Sequence, residues 1–321
     1  MRLNKTGRIR ILYVSDIHGS ETTFRKFLNA SKMYKVDVAI VGGDITGKGL
    51  VFVSKKSKGY ETEFLGRKLF AQNDEELRSL IQEIRKRGLY AHVDGPNAIE
   101  EIASSPTKAE NLLRDHIMRS VKEWMQLAEE RLKGSGIRCH ISPGNDDIYE
   151  IDSILDSSDF VINPDGKVVR LNNEHEMIST GKANITPWKC PRDVTEDELG
   201  QTIEKLVSEL GNPSLSIFNF HAPPFNTYLD IAPELDENLR PVIKAGQPSM
   251  INVGSTSVRK AIEKYQPVLG LHGHIHESKA VEKIGKTICI NPGSQYTEGI
   301  LDGAIVTLEE EKVRDHMFIH G

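Results

Sequence analysis

Five stretches of mostly apolar sequence, each running straight into an acid, an amide or a histidine, constrain this chain more than any other feature. They are residues 9–15 before Asp16, residues 36–41 before Gly42-Gly43-Asp44, residues 137–142 before Pro143-Gly144-Asn145-Asp146-Asp147, residues 215–220 before His221, and residues 268–271 before His272-Gly273-His274-Ile275-His276. Apolar runs this short, bounded by glycine, proline and polar residues, read as buried strands. Between the first two, Phe24, Phe27, Leu28 and Tyr34 are spaced for one buried face of a helix. Strand, helix, strand with polar residues at the strand ends is the layout of an α/β sheet, in which ligands bind beyond those ends.

Further strands are expected near 160–162, 167–171 and 175–180, and helices near 196–210 and 256–265. Residues 48–135 read as an insertion within a single domain spanning 1–321. A hairpin is expected from 50–53 and 60–65 around the basic turn Lys55-Lys56-Ser57-Lys58-Gly59. Leu77, Leu80, Ile81 and Ile84 keep helical spacing, and a long helix is expected over about 107–133, with the stripe Leu113, Ile117, Val121, Trp124 and Ala128 and a stop at Gly134. The helix richness of this segment suggests a cap on the rest.

The formal net charge of -5 over 321 residues argues against a general nucleic-acid-binding surface, which is usually basic. Cys139, Cys190 and Cys289 are scattered and odd in number, so they read as thiols of a reducing compartment rather than a disulfide framework or zinc site. The start is basic (Arg2, Lys5, Arg8, Arg10), but the apolar run after it covers only 11–14, too short for a signal peptide. No apolar run approaches the ~20 residues of a membrane span. A cytoplasmic protein with no membrane partner is the expectation.

The polar clusters supply two carboxylates (Asp16, Asp44), four imidazoles (His18, His221, His274, His276) and one amide oxygen (Asn145). Mixed nitrogen and oxygen donors suit Mn, Fe, Co, Ni or Zn. Seven donors exceed what one tetrahedral ion takes and suit two ions that share a ligand. Alternate residues of a strand share a face, so Asp16 and His18 can meet one ion as the strand end frays. The adjacent glycines permit close backbone approach and positive φ. Taken singly, each piece has a plainer reading: a strand-end aspartate is usually a turn or helix cap, and a lone histidine is usually structural. The set, in order and at strand ends, does not.

In that order, Asp16-x-His18, Gly43-Asp44, Gly144-Asn145, His221 and Gly273-His274-x-His276 resemble the signature of the calcineurin-like metallophosphoesterases, across residues 16–276. The resemblance implies a mixed α/β (α+β) fold: two β-sheets sandwiched between helices (αββα), here with the hairpin and helical cap. It implies that Asp16, His18, Asp44 and His276 hold a first divalent ion, that Asp44 bridges, and that Asn145, His221 and His274 complete a second. Manganese is the working choice of metal. It further implies hydrolysis of a phosphate ester by a metal-bridging hydroxide, since two divalent ions lower the pKa of a bound water towards ~7 and neutralise phosphate oxygens.

The chain departs from that family at Asp146, where a histidine usually follows the asparagine and serves the transition state or the leaving group. An ionised carboxylate beside two cations cannot donate that proton. It adds negative charge near a bound phosphate, which should favour diesters over monoesters. The alternative is that Asp146 points away and caps its loop. Phe225, Asn226 and Tyr228, in the loop after His221, are candidate substrate contacts, with Trp188 and Tyr296 behind them. His272 reads as packing beside the site, and Lys48 as a possible phosphate contact. The expected partner is a small phosphate-ester or nucleotide substrate. Alternatives are a nuclease or cyclic-nucleotide phosphodiesterase and, of another class, a non-catalytic binding module on the same fold.

Overall fold

The computed structural model describes residues 7–321. Arg2 and Lys5 of the basic start lie outside the described residues. The strands Arg8–Val14 and Val38–Val41 run parallel, with Ile11 opposite Val38 and Val14 opposite Val41. Parallel strands covered on both faces need apolar residues at nearly every position, which is why these runs do not alternate with polar residues.

Among the described residues, two six-stranded sheets form the body. One runs, edge to edge, through Lys312–His320, Asp302–Glu309, Arg8–Val14, Val38–Val41, Arg138–Ile141 and Val161–Ile162. The other runs through Ala280–Ile284, Thr287–Asn291, Leu269–Leu271, Ile217–Phe220, Glu176–Thr180 and Val168–Arg170. Strand alternation divides the core into layers. Ile9, Ile11, Tyr13, Val38 and Ile40 face Met177, Ile217, Leu269 and Ile290 between the sheets. Leu12, Val14, Ala39 and Val41 point outwards onto the helices Glu21–Met33 and Pro106–Leu132. Ile178, Phe218 and Phe220 pack outwards against Glu196–Ser208 and Thr256–Tyr265. The expected helix–sheet–sheet–helix sandwich is therefore the observed one.

The segment 48–135 divides in two. Leu50–Lys55 and Tyr60–Phe64 form the expected antiparallel hairpin. Two strands that the sequence reading did not anticipate extend it: Arg67–Ala71 beside Tyr60–Phe64, and Tyr90–Asp94 parallel to Leu50–Lys55. The helix Asp74–Lys86 covers this small sheet through Ile84, against Val53 and Phe64. The long helix belongs elsewhere. Its Trp124 stacks on Phe24 with ring centroids 4.3 Å apart and planes 5° from parallel, which makes it an outer layer of the sandwich. No helix among the described residues is long and apolar enough to cross a membrane.

Candidate metal centre

The five strand ends converge at one edge of the sandwich. Their loops are laddered together: Asp16 N–H donates to Gly43 O (3.0 Å), His18 N–H to Asp44 O (2.9 Å) and Gly273 N–H to His221 O (3.1 Å). Positive φ falls mainly on the functional residues themselves: Asp16 (57°), His18 (38°), Asp44 (49°) and His274 (68°). Non-glycine residues take such conformations at a cost and keep them only where the surroundings over-determine them. Of the three glycines beside Asp44, Asn145 and His274, only Gly43 has positive φ (138°). Gly144 is needed for space instead, because a Cβ there would collide with the Asp44 carboxylate.

The over-determination comes largely from Asp147, which the sequence reading did not single out. Its buried carboxylate accepts from Ile45 N (3.0 Å), Thr46 N (2.9 Å), Thr46 Oγ1 (2.6 Å) and Gly144 N (2.8 Å). It thereby locks the Asp44 loop to the Asn145 loop. Burial, with the Asp44 charge behind it, pushes the Asp147 carboxyl up to about 6.

The ligand-capable atoms form two groups, Asp16 with His18 and His276, and Asp44 with His221 and His274, each with its atoms within 4.8 Å of one another. A third group, His18 with Asp44 and Asp146, overlaps both. The groups meet at Asp44: its Oδ2 lies 3.5 Å from His18 Nε2 and its Oδ1 lies 3.4 Å from His221 Nε2. His276 Nε2 sits 3.4 Å from Asp16 Oδ1 and 3.1 Å from His18 Nε2. His221 Nδ1 faces Gly42 O at 3.3 Å, which leaves its Nε2 to the carboxylates.

Asn145 gives an independent test of whether these residues fit a metal. Its Nδ2 donates to Asp193 Oδ1 (2.8 Å). A carboxylate offers no hydrogen in return, so the amide cannot be turned round. Its Oδ1 is buried with no hydrogen-bond partner among the described residues. A buried, oriented oxygen with no donor, beside two carboxylates and four imidazoles, is the donor set expected around first-row divalent cations.

The electrostatics agree. Burial would raise the Asp16 and Asp44 carboxyls, but His221 and its neighbours hold both well below the ordinary range. Burial would depress the His221 imidazole, yet Asp44 and Asp16 push it up to about 9. The carboxylates thus draw positive charge into the cluster. Burial lowers His18 to about 3 and His274 to about 4, which leaves both neutral and available as ligands at neutral pH.

Asp146 faces the centre rather than away from it. Its Oδ2 pairs with Lys48 Nζ at 2.5 Å and lies 3.9 Å from His18 Nδ1, while its backbone N–H donates to Asp44 Oδ1 (3.0 Å). Capping of the loop falls to Asp147. Tyr296 lies over His18 with ring centroids 4.7 Å apart. His272 is buried, with Nδ1 at Phe220 O (2.9 Å), and packs beside the centre as expected.

A cavity of about 700 Å³ opens on the centre at Asp44, Asn145, Asp146, His274 and His276. Its walls differ from the loop expected to meet substrate. Phe225, Asn226 and Tyr228 do not line it. The Asp230 carboxylate accepts from Asn226 N (3.1 Å) and Thr227 N (2.8 Å), coiling that loop back on itself, and Tyr228 is left 71% exposed. Of the expected 48–135 cap, only Lys48 lines the cavity. The walls come from residues 184–190, which include Trp188, and from 232–253.

No protein-family model matches the chain. An uncharacterized protein of Methanocaldococcus jannaschii is 38% identical over 152 residues, which is 47% of this chain and 61% of that one. The chain thus spans less than two thirds of the length of the curated relative it matches. One solved crystal structure superposes with a TM-score of 0.57 at 14% identity and covers 98% of both chains. A crystal structure from Thermus thermophilus gives a TM-score of 0.51 at 12% identity, covering 94% of this chain and 98% of that one. At these identities the likeness is one of fold: a mixed α/β sandwich of sheets flanked by helices.

Proposed function

We propose that this protein is a divalent-metal-dependent phosphoesterase, similar to the calcineurin-like metallophosphoesterases, that favours phosphodiesters. The observation that carries this reading is the convergence of ligand atoms from four separate strand ends into two groups that meet at Asp44, with Asn145 of a fifth strand end lining the same cavity. In it, Asp16, His18, Asp44 and His276 would hold one cation, and Asn145, His221 and His274, with Asp44, would hold a second. Manganese is the first metal to try. Two divalent cations in such a centre supply Lewis acidity and a bound water of lowered pKa.

The chain's own residues do the rest. Asp193 keeps Asn145 Oδ1 aimed into the centre, and Asp147 keeps the two loops in register. Tyr296 packs its ring against the His18 imidazole. Lys48 is held against Asp146; burial would depress its ammonium, but the Asp146 charge outweighs this and raises it, so it stays cationic. The pair brings one positive and one negative group to the cavity. A diester, with a single charge, meets less repulsion from Asp146 than a monoester does.

The test is hydrolysis of a chromogenic phosphodiester and its matching monoester, side by side, in Mn²⁺ and in chelator. Turnover that needs Mn²⁺, stops in chelator and is faster on the diester is expected. A folded protein that turns over neither ester with any of several divalent metals would return the chain to the non-catalytic reading.

A further inference from the structure

The cavity has two ends of opposite character. At one stand the carboxylate, amide and imidazoles of the centre. The other is walled by Ile185, Pro187, Trp188, Leu239, Pro241 and Ile251. Four of these side chains are exposed: Trp188 and Ile185 at 61% each, and Leu239 and Ile251 as well. Contiguous exposed apolar surface on a folded domain marks a binding surface.

Both walls are tied to the polar end. Asp193 Oδ1 takes the Asn145 amide, while its Oδ2 accepts from Thr186 N (2.9 Å), Thr186 Oγ1 (2.6 Å) and Cys190 N (2.9 Å), fixing the loop that carries Trp188. The opposite wall is a hairpin arm. Ile231–Pro233 pairs with Met250–Asn252, and the arm turns at Ala245 and Gly246, both at positive φ. Its base is clamped by the buried Asp230, which accepts from Asn252 Nδ2 (2.7 Å) and Gly254 N (2.9 Å). A two-stranded hairpin is marginal by itself, so an arm with exposed apolar residues gains from an apolar occupant.

We propose that the occupant is an amphiphilic phosphate ester, with its phosphate at the polar end and an alkyl or aryl group lying between Trp188 on one wall and Leu239 and Ile251 on the other. This rests on the phosphoesterase reading and names its substrate class. The argument is continuity: one cavity, of a size that takes a drug-sized ligand, joins a phosphate-binding chemistry to an apolar surface. A phosphate ester with a small or highly polar alcohol would leave that surface wet.

The full chain, with Mn²⁺ bound, is titrated with methyl, butyl and octyl members of an alkyl methyl phosphate series, whose alkoxide leaving groups are poor, each below its micelle concentration. Trp188 emission is the readout; the other tryptophan, Trp124, is buried against the helix layer. The matching nitrophenyl alkyl phosphates are then turned over in Mn²⁺ for KM. Affinity should rise about 2- to 4-fold per added methylene until the apolar end is filled. Leu239→Ser and Ile251→Ser should flatten that slope. Phe70→Ser, which removes a still more exposed side chain away from the cavity, should keep it. A flat series in both readouts, with turnover intact, overturns the amphiphile and leaves the phosphoesterase standing. A steep series with no ester hydrolysed in any metal overturns the phosphoesterase reading, and with it the occupant's standing as substrate. Reversible self-association that shields Trp188 and is lost in Ile251→Ser overturns the proposal by giving the wall to a second copy.

Discussion

The centre and the apolar walls invert the usual distribution of side chains in opposite ways. At the centre, Asp16, His18, Asp44, Asn145 and His221 are buried, although such residues are mostly found in water. Along the same cavity, Trp188, Ile185, Leu239 and Ile251 stand exposed. The polar end is held at several separate places, by backbone bonds between its loops and by the Asp147 carboxylate that joins two of them. The walls are held at their bases, by Asp193 and Asp230. A site that must fix charged groups to fractions of an ångström needs the first construction. A surface that accommodates an apolar group tolerates the second, because dispersion and burial are not directional.

The comparison breaks most completely at Asp44, where the two ligand groups meet. Asp44→Asn should remove metal-dependent turnover by more than the about 10- to 100-fold that loss of a ligand's hydrogen-bonding partner costs, while circular dichroism shows the fold retained. A variant that keeps near-normal Mn²⁺-dependent rates would mean that the two groups do not work as one centre.

Asp193 belongs to both regions and so tests whether they are coupled. Asp193→Ala frees the Asn145 amide and the Trp188 loop together. Metal affinity, read by calorimetry, should fall about 10- to 100-fold, and Trp188 emission should broaden. If only the emission changes, the two regions are independent.

Asp146→His sharpens the polar end. It removes the carboxylate paired with Lys48 and should shift the diester-to-monoester ratio towards monoesters by about 5-fold, the effect of roughly 1 kcal/mol of Coulomb interaction in a wet cleft. An unchanged ratio would remove Asp146 from substrate choice.

His140 is the control: a buried polar residue that serves no site. Both its ring nitrogens lack hydrogen-bond partners among the described residues, and burial, with the Arg138 charge behind it, pushes the imidazole down to about 3. Its folded pKa is below its ordinary 6.5, so between those values the unfolded chain binds a proton that the folded chain refuses. Stability therefore rises with pH across that window and is lost as pH falls below about 6.5. The share from His140 between pH 7 and pH 6 is about 0.7 kcal/mol. Denaturant melts of His140→Leu should be flatter over that interval than those of the parent; identical slopes would show that another group carries the acid sensitivity.

What could be read before folding was whatever is encoded over a few residues. An apolar run that stops at Asp16, Asp44, Asn145, His221 or His274 specifies a buried strand and places a polar group at its end, so the strands and the candidate ligands followed from local pattern, and the two-sheet sandwich from the family resemblance those segments carry. The long helix, read over about 107–133, runs Pro106–Leu132, because its stripe and its stop at Gly134 are local too. Its place was not: stacking on Phe24 depends on a partner far earlier in the chain. The strands Arg67–Ala71 and Tyr90–Asp94 are short and mixed in polarity, and they exist through their neighbours in the small sheet.

Phe225, Asn226 and Tyr228 show the limit most clearly. Nearness to His221 along the chain suggested nearness to substrate, but the Asp230 carboxylate turns those residues back. The cavity is built instead by 184–190 and by the arm over 231–252, which carry no motif and no periodicity. Asp193 meets Asn145 across 48 residues of chain, and Lys48 meets Asp146 across a longer stretch still. The sequence by itself determined which side chains are offered as ligands, since ligand type and strand-end placement are written into short segments. Only the tertiary structure decided what those side chains can reach, because a cavity wall is a relation between distant segments, set by the packing that brings them together.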